Sequence, residues 1–470
     1  MTTAERRSNF VTWMAGGISL LLVAGLFAAG KGPLLRVAIP AGAALVALSL
    51  YLRRPVAYVQ FTLWTWFLTP LVRRIVDFRI GYADQNLVLL APFLVASIAG
   101  LTIFGRERAA NLKVAPFLLC SAGIVYGFVV GMLLHPSGAV IYGLFNWLAP
   151  MLFGLHLYLR WPTYTEHKNA IEKTFLWGTL VIGLYGIFQF VSPPSWDNFW
   201  LEMVEYTSIN PNFGQPEPFA IRVWSTLNAP GPCASVLMTG LIIILLAKSK
   251  IRAASSVAGY LCLTLTLVRA AWLGWIVAFI YTAKATRSAA LIRTVVIFVF
   301  AAVLLVPLAM SPAFSSIADR FASLSDISHD GSAQARQEMY QKLAVEVERH
   351  PFGLGLSNAQ EVDGFALDSS FLQMLFALGW LGTALYLAGI VMLVLQKRQL
   401  FDKDDRFAAA MRGIQISFLL QSVAGNSFIG VVGSLFWISS CIYLCDENAA
   451  TARSAAAEEW HAGQAVLQPS

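Results

Sequence analysis

Charged residues are scarce in this sequence. Lys, Arg, Asp and Glu make up 13% of its 470 residues, whereas soluble domains average about 25%. Apolar residues reach 57%, and the mean hydropathy is +0.65. So little charge over so long a chain excludes a soluble globular protein and leaves the lipid bilayer as its solvent.

Cysteine is also scarce, and its placement excludes two further classes of protein. The five cysteines form no CxxC pair and no His–Cys spacing typical of a metal site. Four of them, Cys120, Cys262, Cys441 and Cys445, lie in apolar runs. They are expected to be small packing residues rather than part of a disulfide framework.

Apolar runs of membrane-spanning length recur along the chain. A bilayer core of about 30 Å needs roughly 20 apolar residues per helix, so the sequence predicts an all-α, polytopic membrane bundle of about 12–14 helices. Two pairs of runs are short, one pair on either side of Arg269 and the other at the C-terminus. Each pair is compatible with a single long helix, a re-entrant hairpin or two tilted half-spans. The predicted spans are 11–29, 34–51, 55–72, 87–104, 114–134, 139–158, 174–192, 230–247, 254–268, 270–283, 294–309, 369–395, 414–430 and 431–445.

The basic residues give this bundle a direction. With the N-terminus in the cytoplasm, 22 of the 33 Lys and Arg residues lie on the cytoplasmic side, as the positive-inside rule requires. The net charge of +7 is therefore explained by membrane topology and does not indicate nucleic-acid binding. We expect a bacterial inner-membrane protein with both termini in the cytoplasm.

Two external segments are too long to be simple turns, and loops of that length are usually functional. Within the second, Met339, Leu343 and Val347 lie at helical spacing, which predicts an amphipathic helix along the outer membrane face. The predicted parts of the chain are N-terminal transmembrane helices (1–192), a periplasmic loop (193–229), central transmembrane helices (230–309), a large periplasmic loop (310–368), C-terminal transmembrane helices (369–445) and a disordered cytoplasmic tail (446–470).

Basic residues on the external side are disfavoured there, so those next to apolar sequence raise the question of function. Arg73 and Arg74 follow the third span directly, with Asp77 and Arg79 close behind. One interpretation is a solvated cluster in which Asp77 pairs with an arginine. The other is a site for lipid headgroups or phosphates, because guanidinium groups match phosphate geometry and stay charged.

Two further arginines lie at or inside apolar sequence. Arg222 occurs in Ile-Arg-Val-Trp-Ser-Thr-Leu-Asn-Ala-Pro-Gly-Pro, which indicates a broken helix start whose N–H groups favour an anion. Its alternative role is snorkelling at the interface. Arg269 has apolar runs on both sides and is costly there unless it pairs or faces a polar cavity. Its alternative role is to cap carbonyls between two half-helices.

The large loop and the span after it carry the remaining candidates. Arg336 and Glu338 lie in the predicted amphipathic helix, and His350 begins the stretch His-Pro-Phe-Gly-Leu-Gly. Asp368 lies where the chain re-enters the bilayer, as a helix N-cap or as a catalytic carboxylate. For His350, a local hydrogen-bonding role competes with that of a base.

In this order, these stretches resemble the O-antigen ligase/polymerase superfamily of integral membrane glycosyltransferases. The resemblance rests on residues 222–230, on Leu-Thr-Leu-Val-Arg-Ala-Ala-Trp-Leu-Gly at 265–274, and on the loop from Arg336 to the Gly-Trp-Leu-Gly at 379–382. It implies a GT-C-like fold. Ligases of this superfamily carry a histidine where this chain has Asp368, which favours a polymerase-like member.

The resemblance implies that the protein polymerises undecaprenyl-diphosphate-linked repeat units into exopolysaccharide or O-antigen at the periplasmic face. Arg222 and Arg269 would hold the diphosphate, Arg336 would close over it, and Asp368 would orient or deprotonate the acceptor, with Glu338 as its competitor. We expect no cofactor and no metal, since no carboxylate pair at metal-binding spacing appears on this face. Expected partners are the bilayer, the lipid-linked glycan, its acceptor, a flippase and a chain-length regulator. Further substrate contacts are expected from Arg73, Arg74, His350 and Glu338.

Two other functions stay open. A ligase would transfer the glycan to lipid A core instead of to another repeat unit. A transporter would also use membrane arginines and broken helices, but transporters commonly consist of two related halves, and the sequence has no internal repeat. The nature of the acceptor separates the two enzymes, and the formation of a glycosidic bond separates both from a transporter.

Overall fold

The computed structural model of the chain describes most of the predicted bundle. The predicted spans at 11–29 and 294–309, much of the loop 310–368 and the tail 446–470 lie outside the described residues. The described residues are 32–84, 86–104, 114–160, 164–207, 213–284, 340–343, 345–356, 361–362, 365–367, 369–396 and 406–445.

Nearly all of the described elements are helices, since a helix satisfies its backbone polar groups internally when lipid surrounds it. Two short 3₁₀ segments, Leu87–Leu90 and Ile98–Phe104, flank the helix Ala91–Ser97. Two short strands, β1 (Glu361–Val362) and β2 (Phe365–Ala366), pair antiparallel in the large loop. The α-helices are α1 (Gly32–Arg53), α2 (Pro55–Ile80), α3 (Ala91–Ser97), α4 (Ala115–Leu134), α5 (Gly138–Leu159), α6 (Tyr164–Val191), α7 (Ser195–Thr207), α8 (Pro230–Ile244), α9 (Arg252–Leu265), α10 (Arg269–Lys284), α11 (Ser370–Leu395), α12 (Arg406–Gln421) and α13 (Gly430–Leu444).

Several of these helices have the length and composition of membrane spans, which confirms the prediction of an all-α polytopic membrane protein. The described part of the chain contains six such helices: Pro33–Arg53, Leu87–Phe104, Ala115–Leu134, Gly138–Leu159, Glu166–Val191 and Ser370–Leu395. Two shorter apolar helices are Pro230–Ile244 and Gly430–Leu444. The helix at the third predicted span differs, because α2 runs past residue 72 to Ile80 and carries the first arginine group inside it.

The two pairs of short runs form helical hairpins. Between α9 and α10 the chain reverses around Leu267, which has a φ of +55°, and the Trp272 indole donates to Leu263 O at 3.1 Å across the turn. In the second pair, Gln415 Nε2 donates to Ser440 Oγ at 2.9 Å, which joins α12 to α13 side by side. Each pair is therefore two antiparallel helices rather than one long one.

Glycines bring α4 and α11 into close contact. A Cβ atom at Gly123 would lie 2.6 Å from Gly382 O, and one at Gly127 would lie 2.8 Å from Ala377 O. Small residues at such spacing let two membrane helices approach backbone to backbone. This contact fixes α11, and with it the end of the large loop.

Several connecting segments lie together at one end of the bundle. Val223 N donates to Leu265 O at 3.1 Å, and Ser370 N donates to Ser422 O at 3.0 Å. Gln421, at the last turn of α12, packs against Gly274 near the first turn of α10. We call this region the arginine end; it comprises residues 73–84, 213–229, 266–269, 350–356, 369–370 and 422–429.

The predicted amphipathic helix is helical where it is described, over 340–343 and 345–349. Its Leu343 and Val347 side chains are buried, whereas Val345 is exposed. The Tyr340 hydroxyl donates to Val423 O at 2.9 Å. This helix therefore packs its apolar face onto the arginine end of the bundle.

Candidate active site

The segment that carries Arg222 is extended and is held by backbone hydrogen bonds on both sides. Arg222 N donates to Phe213 O at 2.7 Å, and Val223 N donates to Leu265 O at 3.1 Å. The Arg222 side chain is half-buried, and its Nε donates to Thr266 O at 3.4 Å. The segment thus lies directly against the turn that joins α9 to α10.

Arg269 is the first residue of α10, immediately after that turn. Its side chain is half-buried. The structure therefore brings the two arginines predicted to hold a diphosphate to the same turn, although 46 residues lie between them in the sequence. Arg222 caps Thr266 O in this turn, and the carbonyl-capping role considered for Arg269 stays a prediction.

The position of Arg269 has an electrostatic consequence. The first turn of a helix presents unsatisfied N–H groups and the positive end of the helix dipole, which favour an anion and disfavour a nearby cation. Arg269 adds positive charge at that end, and Arg222 lies against the preceding turn. An anionic ligand would be stabilised here by the dipole and by both guanidinium groups.

Arg73 is buried inside the bundle instead of solvated. Its Nε lies 2.6 Å from Asp77 Oδ2, its Nη2 donates to Ala83 O at 2.9 Å, and its guanidinium lies over the Tyr82 ring. Asp77 also contacts Arg36 at 3.3 Å. The predicted pairing of Asp77 with an arginine is confirmed, but the prediction of a solvated cluster is wrong for Arg73, Arg74 and Asp77. The helix α2 extends further than its apolar run and buries these three side chains, whereas Arg79 is exposed.

Arg74 has no exposed side-chain surface and forms a second buried ion pair. Its Nε lies 2.7 Å from Asp197 Oδ1 on α7, and both side chains are fully buried. Buried charges need such partners because an unpaired charge in a low-dielectric interior is very costly. Arg74 is thus paired inside the protein, and contact of Arg73 and Arg74 with substrate stays a prediction.

The His-Pro-Phe-Gly-Leu-Gly stretch docks into a break in α11. Gly379 interrupts that helix with a φ of +62°, and the loop backbone pairs with the interrupted turn. Leu354 N donates to Phe376 O at 2.6 Å, and Trp380 N donates to Pro351 O at 3.0 Å. This stretch therefore fixes the large loop to a membrane helix.

His350 makes a local hydrogen-bonding contact. Its Nε2 lies 3.2 Å from Glu346 Oε1, one turn earlier, and Glu346 also pairs with the exposed Arg349 at 3.0 Å. This geometry is what the local hydrogen-bonding role of His350 predicts. Contact of His350 with substrate stays a prediction.

The remaining predicted residues, Arg336, Glu338 and Asp368, lie outside the described residues. The N-cap of α11 is Ser369, and the roles considered for Asp368 stay predictions. A loop between α12 and α13 holds the chain on both sides of this point.

That loop supplies contacts that the sequence did not single out. Asn426 Nδ2 donates to Leu367 O at 3.2 Å, Ser370 Oγ donates to Gly425 O at 2.7 Å, and Ser427 N donates to Ser370 Oγ at 2.8 Å. The Asn-Ser and Ser-Phe pairs that make these contacts are only a weak sequence signal of a functional loop in so apolar a chain. Asp197 was also missed, although an acidic residue beside two tryptophans and two prolines in a membrane protein needs a cationic partner.

No curated protein matched this chain. The family model described as O-antigen ligase matches residues 254–387, which run from α9 through the Arg269 turn and the large loop into α11. Arg222 and Arg74 precede the matched region. The match confirms the resemblance of this chain to the O-antigen ligase/polymerase superfamily that was seen in the sequence.

Proposed function

We propose that the protein is a membrane glycosyltransferase that polymerises undecaprenyl-diphosphate-linked repeat units into exopolysaccharide or O-antigen. The observation that carries this proposal is the meeting of Arg222 and Arg269 at one turn, at a helix N-terminus. Two guanidinium groups and a helix dipole together match a diphosphate leaving group, on which negative charge develops during glycosyl transfer.

We place the arginine end on the periplasmic side of a bacterial inner membrane. The charge distribution of the sequence supports this orientation, because most basic residues then lie in the cytoplasm. At the opposite end of the bundle, Arg53 is the last residue of α1 and Arg160 directly follows α5. Lys248 and Lys250 lie between α8 and α9. Lipid-linked sugars displayed at the outer leaflet would reach the arginine end directly.

The proposed reaction joins an acceptor hydroxyl to the anomeric carbon of the donor sugar. The hydroxyl oxygen forms the new bond, the bond from the anomeric carbon to the diphosphate oxygen breaks, and undecaprenyl diphosphate leaves with the electron pair. Arg222 and Arg269 stabilise that leaving group in the role that a divalent cation has in other transferases, with Arg336 closing over it from the loop. The hydroxyl proton passes to a carboxylate.

We assign this base role to Asp368, with Glu338 as the alternative. The loop from Gly425 to Ser427 holds the residues next to Asp368 and would fix its position. General-base catalysis contributes about 10²–10⁴-fold to such reactions, so Asp368→Asn is expected to lower the turnover of purified lipid-linked donor by about that factor. Normal turnover in this variant would exclude Asp368 and direct attention to Glu338→Gln.

A ligase that transfers the glycan to lipid A core is the second candidate, because the matching family model carries the description O-antigen ligase. Deletion of the gene separates the two. For a polymerase, cells should accumulate single repeat units capped onto their normal acceptor. Long chains left on the carrier lipid would instead identify a ligase, and a flippase and a chain-length regulator would then act upstream of it.

A further inference from the structure

The segment that carries Arg222 is held by an unusually complete set of buried polar contacts, and Arg74 is at their centre. Besides its ion pair with Asp197, Arg74 donates through Nη2 to Ser225 O at 2.5 Å and through Nη1 to Leu227 O. The same Nη1 lies 3.4 Å from Asn228 Oδ1. All three nitrogens of the guanidinium thus engage either Asp197 or the backbone that follows Arg222.

Gln189 on α6 holds the same backbone through its amide groups. Its Oε1 accepts from Trp224 N at 3.2 Å and from Ser225 N at 2.8 Å. Its Nε2 donates to Asp197 Oδ2 at 2.6 Å. Arg74 therefore binds the carbonyls of this turn, Gln189 binds its N–H groups, and Asp197 connects the two side chains.

The turn itself has a conformation that requires such support. Ser225 has a φ of +52°, in the left-handed region that residues other than glycine rarely adopt. Its hydroxyl donates to Ile182 O at 2.6 Å, and the Asp197 carboxylate accepts a further hydrogen bond from Tyr185 at 2.9 Å. Ser225, Asp197 and Gln189 are buried and paired, and Tyr185 is half-buried, so the network rigidifies the turn.

We propose that Arg74, acting through Asp197 and Gln189, is a positioning residue that fixes Arg222 against the Arg269 turn. This inference rests on the proposed function for its consequence in catalysis, but the positioning itself does not depend on it. Only a guanidinium has the geometry for this positioning, because one planar group reaches the Asp197 carboxylate and the carbonyls of Ser225 and Leu227 in different directions. A lysine ammonium keeps the charge for Asp197 but lacks that fixed fork.

The test compares Arg74→Lys with Arg36→Lys in the full-length protein in lipid nanodiscs. Arg36 also pairs with a buried carboxylate, Asp77, and a carbonyl, Gly81 O, and both of these partners lie outside the turn at 223–227. The first measurement is hydrogen exchange of the amides at 223–227. We expect about tenfold faster exchange there in Arg74→Lys, equivalent to about 1.4 kcal/mol, and wild-type exchange in Arg36→Lys.

The second measurement is the dissociation constant for undecaprenyl diphosphate, for which we expect about tenfold weaker binding by Arg74→Lys. Exchange at 223–227 equal to wild type in Arg74→Lys would overturn the positioning role. Faster exchange with unchanged affinity would uphold the positioning role and contradict the proposed diphosphate site. If Arg74→Lys does not fold, Gln189→Met, which keeps the ion pair and removes the amide contacts, must show the same local increase in exchange or the inference fails.

Discussion

Alanine at Arg269 is expected to lower polymer formation by about 10²–10³-fold, the loss usually seen when one preorganised donor to a developing negative charge is removed. Arg269 begins α10 next to the turn that Arg222 contacts, so its removal takes away one of the three guanidinium groups proposed to hold the diphosphate. Alanine at Arg222 should have an effect of the same order. The measurement is release of undecaprenyl diphosphate from lipid-linked repeat units by purified protein.

Lysine variants show whether geometry or charge matters at these positions. Because a guanidinium donates two parallel hydrogen bonds and an ammonium does not, lysine at Arg222, Arg269 or Arg336 should restore only a small part of the activity. Arg53→Ala, an exposed change at the opposite end of the bundle, serves as the control and should keep wild-type turnover. Full polymer output from all three lysine variants would show that paired guanidinium geometry is not required.

The second large effect is expected from Gly355→Ala. Gly355 has a φ of +86°, and a Cβ atom there would lie 2.2 Å from Gly131 Cα and 2.5 Å from Gly131 N. Because both neighbours are backbone atoms of α4, they have little room to move. Left-handed backbone at a non-glycine residue costs about 1–2 kcal/mol and overpacking about 1–3 kcal/mol, so we expect about 2–5 kcal/mol of destabilisation.

Gly138→Ala provides the matched control, since a Cβ atom at Gly138 would meet nothing within 4 Å. Thermal unfolding in detergent should show a clearly lower Tm for Gly355→Ala and an unchanged Tm for Gly138→Ala. Activity should fall with stability, because the docked stretch connects the large loop to α11. Equal Tm values for the two variants would show that the loop docks in some other way.

The sequence predicted the helical bundle and two of its central residues for a simple physical reason. Lipid makes every apolar run and every charge inside it conspicuous, so Arg269 and Arg222 were found from composition and position alone. For the two short apolar runs on either side of Arg269, the sequence left three alternatives: one long helix, a hairpin or two tilted half-spans. The φ of Leu267 and the contact from Trp272 decide between them.

Tertiary pairing was beyond what the sequence could predict. The partner of Arg74 is Asp197, on a helix far along the chain, and no local pattern connects them. For the same reason the sequence indicated a substrate contact for Arg74, which stays a prediction, but not its buried ion pair. The docking of Gly353 against the break at Gly379 and of Gly355 against Gly131 on α4 was also hidden, because prolines and glycines show where a helix ends but not what the next segment contacts.

The most direct test of the central claim is reconstitution of the purified protein in liposomes with lipid-linked repeat units as the sole substrate. We expect a ladder of longer lipid-linked chains, with one undecaprenyl diphosphate released for each new glycosidic bond and the ladder lost in Arg269→Ala. Movement of the lipid-linked glycan across the bilayer with no new glycosidic bond would contradict the account and identify a transporter.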